Sequence, residues 1–469
     1  MTREPQIGSH DQPVPAALSE FIRGGWAEPT PVDLSPAAVA QYTPGRRAAL
    51  AARFPGERLV VPSGPLHIRS YDTHYEYRPH TAHTYLCGGD TPDAVLVIEP
   101  DGDAAVFVWP PARRGDSDEF FRDRTYGELW TGRRPGLDDL TALLGVPHRH
   151  RRDLAGHLKS DVTTRVLRGV DAEVDALTEP RTAAEAELES AMAELRLVKD
   201  AWEIGQLQSA VDATVLGFGD VARALADAAG HPRGERWIEG VFNLRARAEG
   251  NDVGYQTIAA SGPNACVLHW TRNTGPVRPG EMILLDAGVE VETLYTADIT
   301  RVLPVSGAFT PLQRELYELV HGAQRAAIDV VRPGARFEDF HQAAMGVICE
   351  GLEGLGLLPV SAEQAMAPDS QVHRRFTLHS TGHMLGMDVH DCGKARAETY
   401  RGARLQEGHV LTVEPGLYFQ PDDLTVPEEL RGIGIRIEDD LVVTADGSRV
   451  LSAALPSAPS DVEAWLAAR

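Results

Sequence analysis

Cysteine is scarce in this 469-residue chain: there are four, Cys87, Cys266, Cys349 and Cys392, and no two stand at CxxC spacing. That excludes a disulfide framework and a thiolate zinc ribbon, and it fits a reducing compartment, so a cytoplasmic location is expected. Long apolar runs are missing too. None approaches the roughly 18 residues that span a bilayer, and the opening Met-Thr-Arg-Glu-Pro-Gln lacks the apolar core of a signal peptide. Basic residues are in deficit, 45 Lys and Arg against 68 Asp and Glu, for a formal net charge of −23. A chain so acidic is not built mainly to grip nucleic-acid phosphates or an anionic membrane. It contains no GxxxxGK followed by Ser or Thr, no GxSxG and no HExxH, so the phosphate-loop, serine-hydrolase and zincin readings lose their usual support.

What is present suits a soluble globular chain: 43% apolar and 24% charged residues, with a length of two or three domains at roughly 150 residues each. Residues 1–35 are rich in Pro, Gly and polar groups, and are expected to form a poorly ordered arm docked on a partner subunit. A smaller α/β domain is expected over 36–194. It has a helix at 46–54 ending at Pro55-Gly56, strands at 58–62, 94–98 and 104–108, and a helix at 137–144. The last two strands turn on Glu99-Pro100-Asp101-Gly102-Asp103. Leu188, Met192 and Leu195 share one helix face, and Trp202, Ile204 and Leu207 begin another helix across Lys199-Asp200. That places a boundary near Glu194 and a second domain, mixed α/β (α+β), over 195–469, with strands at 282–286, 295–302, 409–414 and 433–443.

An internal echo lies in the second domain. Gly280-Glu281-Met282-Ile283-Leu284-Leu285-Asp286-Ala287-Gly288 overlays Gly408-His409-Val410-Leu411-Thr412-Val413-Glu414-Pro415-Gly416, each with an acid six residues after the first Gly and a second Gly two further on. The echo predicts a duplicated half-domain whose strands bring carboxylates to one place. Strand alternation supplies the faces. Glu438 and Arg436 oppose three isoleucines, Glu414 opposes Leu411 and Val413, Asp286 shares a face with Leu284, and Asp298 lies with Thr296 and Thr300. Any one acid is most simply a solvated strand end. Four, each in an otherwise apolar strand, are costly unless paired or bound to a cation.

His379, His383 and His390 cluster within 12 residues among glycines and small residues, a poor helix but a plausible pocket wall. His148, His150 and His157, set among arginines, are expected on a solvated basic face. Carboxylates with one imidazole favour Mn²⁺, Co²⁺ or Zn²⁺. Four carboxylates overcharge a single ion, whereas two ions roughly 3.5–4 Å apart share them and can hold a hydroxide between them. The chemistry implied is hydrolysis by metal-activated water.

Five segments, LLDAG, TADITR, HSTGHMLGMDVHD, TVEPGLY and RGIGIRIEDD, occur in the order found in the Xaa-Pro aminopeptidases (aminopeptidase P), relatives of prolidase and methionine aminopeptidase, and the chain resembles that family from about Arg46 onward. Tyr75-Glu76-Tyr77-Arg78, Tyr85-Leu86 and Trp130-Thr131-Gly132-Arg133-Arg134 resemble its amino-terminal segments. The resemblance implies a pita-bread catalytic domain with pseudo-twofold halves. It makes Asp286, Asp298, His383, Glu414 and Glu438 ligands of two divalent ions, most often Mn²⁺, with Glu414 also the proton shuttle. It also makes His269 and His390 catalytic and substrate-contacting, His379 a pocket wall, and Arg436 the holder of a carboxylate ligand. Its substrates are peptides with proline second, and it implies a homodimer or homotetramer. The sequence departs from the family at Ala82-His83, where an Asp-Phe pair is common.

Two alternatives carry different expectations. A prolidase prefers Xaa-Pro dipeptides, and the long amino-terminal domain argues against it. A non-catalytic or metal-free relative has broken ligand positions, and here all five are intact.

Overall fold

The computed structural model describes residues 12–27, 34–114 and 117–469. The chain forms two compact units, one up to Leu195 and one from Arg196.

The first unit is built on a five-stranded sheet of β1 (Arg58–Pro62), β2 (Val95–Ile98), β3 (Ala104–Val108), β4 (His148–His150) and β5 (Thr164–Val166), in the order β4-β3-β2-β1-β5. The three central strands are antiparallel and the two outer pairings parallel. Leu59-Val60-Val61 and Val95-Leu96-Val97-Ile98 are buried throughout, the unbroken apolar pattern of strands covered on both faces. Val60, Val97, Phe107 and Val166 pack with Leu154 and Leu158 on one side.

Three expectations need correction here. The stretch 1–35 lies partly outside the described residues, but Ala16–Arg23 within it is a helix, α1. Ser19 Oγ and Arg23 Nε fasten it to Asp118. The helix expected at 46–54 is α2 (Thr43–Ala51), which starts earlier because Pro44 suits a first helical turn. The basic segment around residue 150 is not simply solvated. It carries edge strand β4, and the buried Arg151 meets the Asp171 carboxylate at 3.0 Å.

The second unit repeats one plan. Helices α3 (Ala201–Gly230) and α4 (Gly234–Glu249) precede the antiparallel sheet of β6 (Ile258–Ser261), β7 (Met282–Ala287) and β8 (Ile299–Pro304), ordered β8-β7-β6. Helices α5 (Pro311–Val330) and α6 (Asp339–Gly354) then precede β9 (Val410–Val413), β10 (Gly416–Tyr418), β11 (Gly434–Arg436), β12 (Asp439–Val443) and β13 (Ser448–Val450). The sheet orders there are β9-β12-β13 and β10-β11. The echo survives in the backbone: Gly280 and Gly408, which open the two copies, have φ of +87° and +88°, the left-handed region that glycine enters without a Cβ penalty. Among the described residues no helix is long and apolar enough to cross a membrane.

Two of the expected strands are shorter than the apolar pattern predicts. The one at 295–302 begins at Ile299, leaving Asp298 just before it. The one at 433–443 divides into β11 and β12, with Glu438 at the break. There the backbone leaves the ladder: Ile437 N–H donates to Pro415 O and Glu438 N–H to Thr300 O.

Candidate active site

Four strand ends deliver the acids. Asp286 lies near the end of β7, whose six residues are all buried, and is paired between Ile258 of β6 and Thr300 of β8. Asp298 precedes β8, Glu414 follows β9, and Glu438 sits between β11 and β12. The histidine segment is a loop laid along β9. Thr412 N–H donates to His383 O at 2.9 Å and Glu414 N–H to Thr381 O at 2.7 Å. Gly382 permits this approach, because a Cβ there would lie 2.0 Å from Thr412 O.

All nine residues singled out by sequence, Asp286, Asp298, Glu414, Glu438, His269, His379, His383, His390 and Arg436, line one cavity of about 530 Å³ within the second unit. Asp298, His383 and Glu438 each bring a donor atom within 4.8 Å of the other two. His383 Nε2 stands 3.3 Å from Asp298 Oδ2 and 3.7 Å from Glu414 Oε1. Its Nδ1 faces the Met384 carbonyl at 3.1 Å. That oxygen only accepts, so Nδ1 carries a hydrogen, and Nε2 is the ring nitrogen turned to the carboxylates. His390 lies edge-on to His383, ring centroids 4.4 Å apart.

A set of hydrogen bonds holds the acids. The Tyr255 hydroxyl lies between Asp286 Oδ1, at 2.7 Å, and Asp298 Oδ1, at 2.5 Å. Thr300 Oγ1 donates to Glu438 Oε2 at 2.7 Å, and Asp298 N–H donates to Asp440 Oδ2. Arg436 donates from Nη2 to Asp286 Oδ2 at 2.5 Å, from Nε to Thr300 Oγ1 and from Nη1 to the Tyr418 hydroxyl. Tyr418 in turn meets His379 Nε2 at 2.8 Å. Tyr255, Thr300, Tyr418 and Asp440 were assigned no role by sequence. Thr300 was at least placed on the face of Asp298, but no spacing signals that Tyr255 reaches two strands at once.

The electrostatics follow from crowding acids in a dry place. Burial, then the neighbouring carboxylates, push Glu438 well above the usual carboxylate range. Burial likewise raises Asp286, against the pull of Arg436. Burial raises Glu414 to about 7, with Asp298 and Asp286 adding to it against His383 and Arg436. Burial opposes a charge on His383, yet Asp298 and Glu414 outweigh it and hold the ring up at about 9. Burial and Arg436 bring His379 down to about 4, so it is neutral near pH 7. Arg436 and His383 are paired directly with these carboxylates. Oxygen-rich donors with a single ring nitrogen, in a cavity short of positive charge, fit hard or borderline divalent cations.

Comparisons with known proteins agree with this chemistry. Residues 161–445 match metallopeptidase family M24, and residues 44–165 match the aminopeptidase P amino-terminal domain. Xaa-Pro aminopeptidase 1 of Streptomyces coelicolor is 53% identical over 457 residues, 96% of this chain and 92% of the relative. The Xaa-Pro aminopeptidase of Escherichia coli is 34% identical over 459 residues, 90% of this chain and 97% of the relative. Among solved structures, an E. coli aminopeptidase P in complex with substrate superposes with a TM-score of 0.80 at 30% identity, covering 92% of this chain and 99% of that one. A zinc-substituted form in complex with product gives 0.79 at 31%, with the same coverage.

Proposed function

The chain belongs to metallopeptidase family M24 as an Xaa-Pro aminopeptidase, a hydrolase with a pita-bread catalytic unit, and on that premise we propose which of its residues do the work. Asp286, Asp298, His383, Glu414 and Glu438 hold two divalent ions, Mn²⁺ first among the candidates with Co²⁺ and Zn²⁺ behind it. The observation that carries this is the convergence of four carboxylates and the His383 Nε2 atom in one cavity. Bound there, the ions would polarise the scissile carbonyl and acidify the attacking water.

The remaining steps fall to the chain. Glu414, beside His379 and His383, takes a proton from the attacking water at a carboxylate oxygen and passes it to the proline nitrogen as that leaves. His390 donates to the carbonyl oxygen as negative charge gathers on it. His269 contacts the carbonyl or the free amine of the substrate, and His379 walls the pocket with its orientation fixed by Ser380 O and Tyr418. Arg436 keeps Asp286 in place. An Xaa-Pro bond has no N–H to donate, and nothing in this set asks for one. The prolidase alternative is set aside by the relatives, which are named Xaa-Pro aminopeptidases along the length of the chain. We further propose a homodimer or homotetramer working in the cytoplasm on peptides with proline second.

The test is a metal add-back series on stripped protein, assayed with an Xaa-Pro-Yaa peptide and the matching Xaa-Pro dipeptide. Activity should return with Mn²⁺ and favour the longer peptide. Glu414→Ala and Asp298→Ala should each abolish metal-dependent hydrolysis in soluble, folded protein; full activity in either rejects the assignment.

A further inference from the structure

His269 reaches the cavity from the segment between β6 and β7, in irregular chain that follows a short 3-10 turn at Gly262–Cys266. Asn273 ties the segment back to β6, and one side chain of α4 gathers it at several points at once. Glu235, fully buried near the start of that helix, accepts four N–H groups from it. Its Oε1 takes Ser261 N–H and the Asn264 amide, both at 2.8 Å. Its Oε2 takes the Trp270 indole N–H at 2.8 Å and Gly275 N–H. The Glu235 backbone N–H closes the set on Gly275 O. An ionised carboxylate has about four lone-pair sites and no donor, so this constellation fills it from both ends of the segment and from the residue beside His269. With the Trp270 ring turned towards α4, its neighbour His269 is left to the cavity. Approach is close enough that a Cβ on Gly275 would lie 2.8 Å from the Glu235 carboxyl.

We propose that Glu235 is a positioning residue for the reaction, setting the His269 ring against the substrate through the Trp270 indole and the two ends of its segment. The proposal rests on the reading of His269 as a substrate contact. An amide cannot replace the carboxylate: Gln has one acceptor oxygen, and its NH₂ would face two N–H donors. A displacement of His269 by about 1 Å is enough to cost of the order of 100-fold in rate.

The experiment is a double-mutant cycle on the full-length, metal-loaded enzyme with one Xaa-Pro-Yaa peptide, with metal content and circular dichroism as controls. Glu235→Gln should lower kcat/KM about 10- to 100-fold, and Trp270→Phe, which removes one donor and keeps a ring, should lower it less. In a His269→Ala background both should change kcat/KM by less than about 2-fold, because residues acting through one group are not additive. Losses that multiply with that of His269→Ala, or full activity in Glu235→Gln, overturn the proposal. A His269→Ala enzyme with wild-type kcat/KM overturns the His269 reading itself and the proposal with it. Should Glu235→Gln not fold, Trp270→Phe alone and in the His269→Ala background decides the matter by the same criterion.

Discussion

Tyr255 shows what a residue contributes beyond its own chemistry. Its hydroxyl is shared by two carboxylates from different strands. Burial and those two charges push its pKa well above the ordinary phenol range, so it stays a donor. Tyr255→Phe removes a single oxygen and leaves Asp286 and Asp298 facing each other with less to fix their angles. Partners of this kind are worth about 10- to 100-fold in metal affinity or activity. The variant should therefore need a correspondingly higher Mn²⁺ concentration for half-maximal activity in a metal titration; an unshifted titration would show that the hydroxyl does not orient these acids. The nine residues chosen by sequence all line the cavity: strand alternation and the glycine-spaced histidines are local patterns, and His269 came from the family resemblance. Tyr255 escaped notice because its value comes from the position of residue 255 across from residues 286 and 298, which no local spacing encodes.

At the scale of elements, the histidine loop is anchored at both ends of its run. On one side it follows β9 through Gly382. On the other, Asp391, next to His390, is fully buried against Lys199 Nζ at 3.0 Å and Arg196 Nε at 3.2 Å. Burial alone would raise the Asp391 pKa, but the two cations outweigh it and hold it down at about 2 from an ordinary 3.8. A carboxyl depressed in the folded state stabilises above its unfolded pKa, and that stability drains away as pH falls through the folded value. The gap in urea stability between wild type and Asp391→Asn should thus be constant from pH 7 to pH 5. Between about pH 4 and pH 2 it should shrink by of the order of 2 kcal/mol. A gap that stays level through that window would mean that the carboxylate is not what the cations hold. Sequence gave no access to this contact, since the partners lie 192 and 195 residues apart. Helix and strand existence was legible, as with β1, β3 and the helix at Leu137–Leu144. Ends were not: β12 starts after Glu438, where Arg301, almost fully buried, donates to Glu438 O and to Asp439, and the chain passes from pairing with β10 to pairing with β9.

Over the whole molecule, the acids are not simply a solvated surplus: besides the four in the cavity, Asp171, Glu235 and Asp391 are buried against donors or cations. A formal charge of −23 says little about fold, yet crowding four carboxylates in one buried cavity costs the folded chain stability unless they are protonated or paired with cations. Saturating divalent metal, at about 100 times its dissociation constant, should stabilise the protein by about 3 kcal/mol, seen in calorimetry as a rise of several degrees over the chelator-treated protein. No rise with Mn²⁺, Co²⁺ or Zn²⁺ would mean that the cavity holds no tight ion.

Arg196 and Lys199 also decide where this chain can be cut. Val198 forms a bridge with His409, and Lys199 N–H donates to Gly408 O, so the few residues ahead of the long helix α3 serve as an extra edge to the second half-domain. A fragment begun at the helix cap, Asp200, would carry every residue of the cavity and still strand Asp391 in the interior with neither cation. A fragment begun upstream of Arg196 keeps both. The second unit therefore begins at Arg196, several residues short of the helix that a secondary-structure diagram would take as its start.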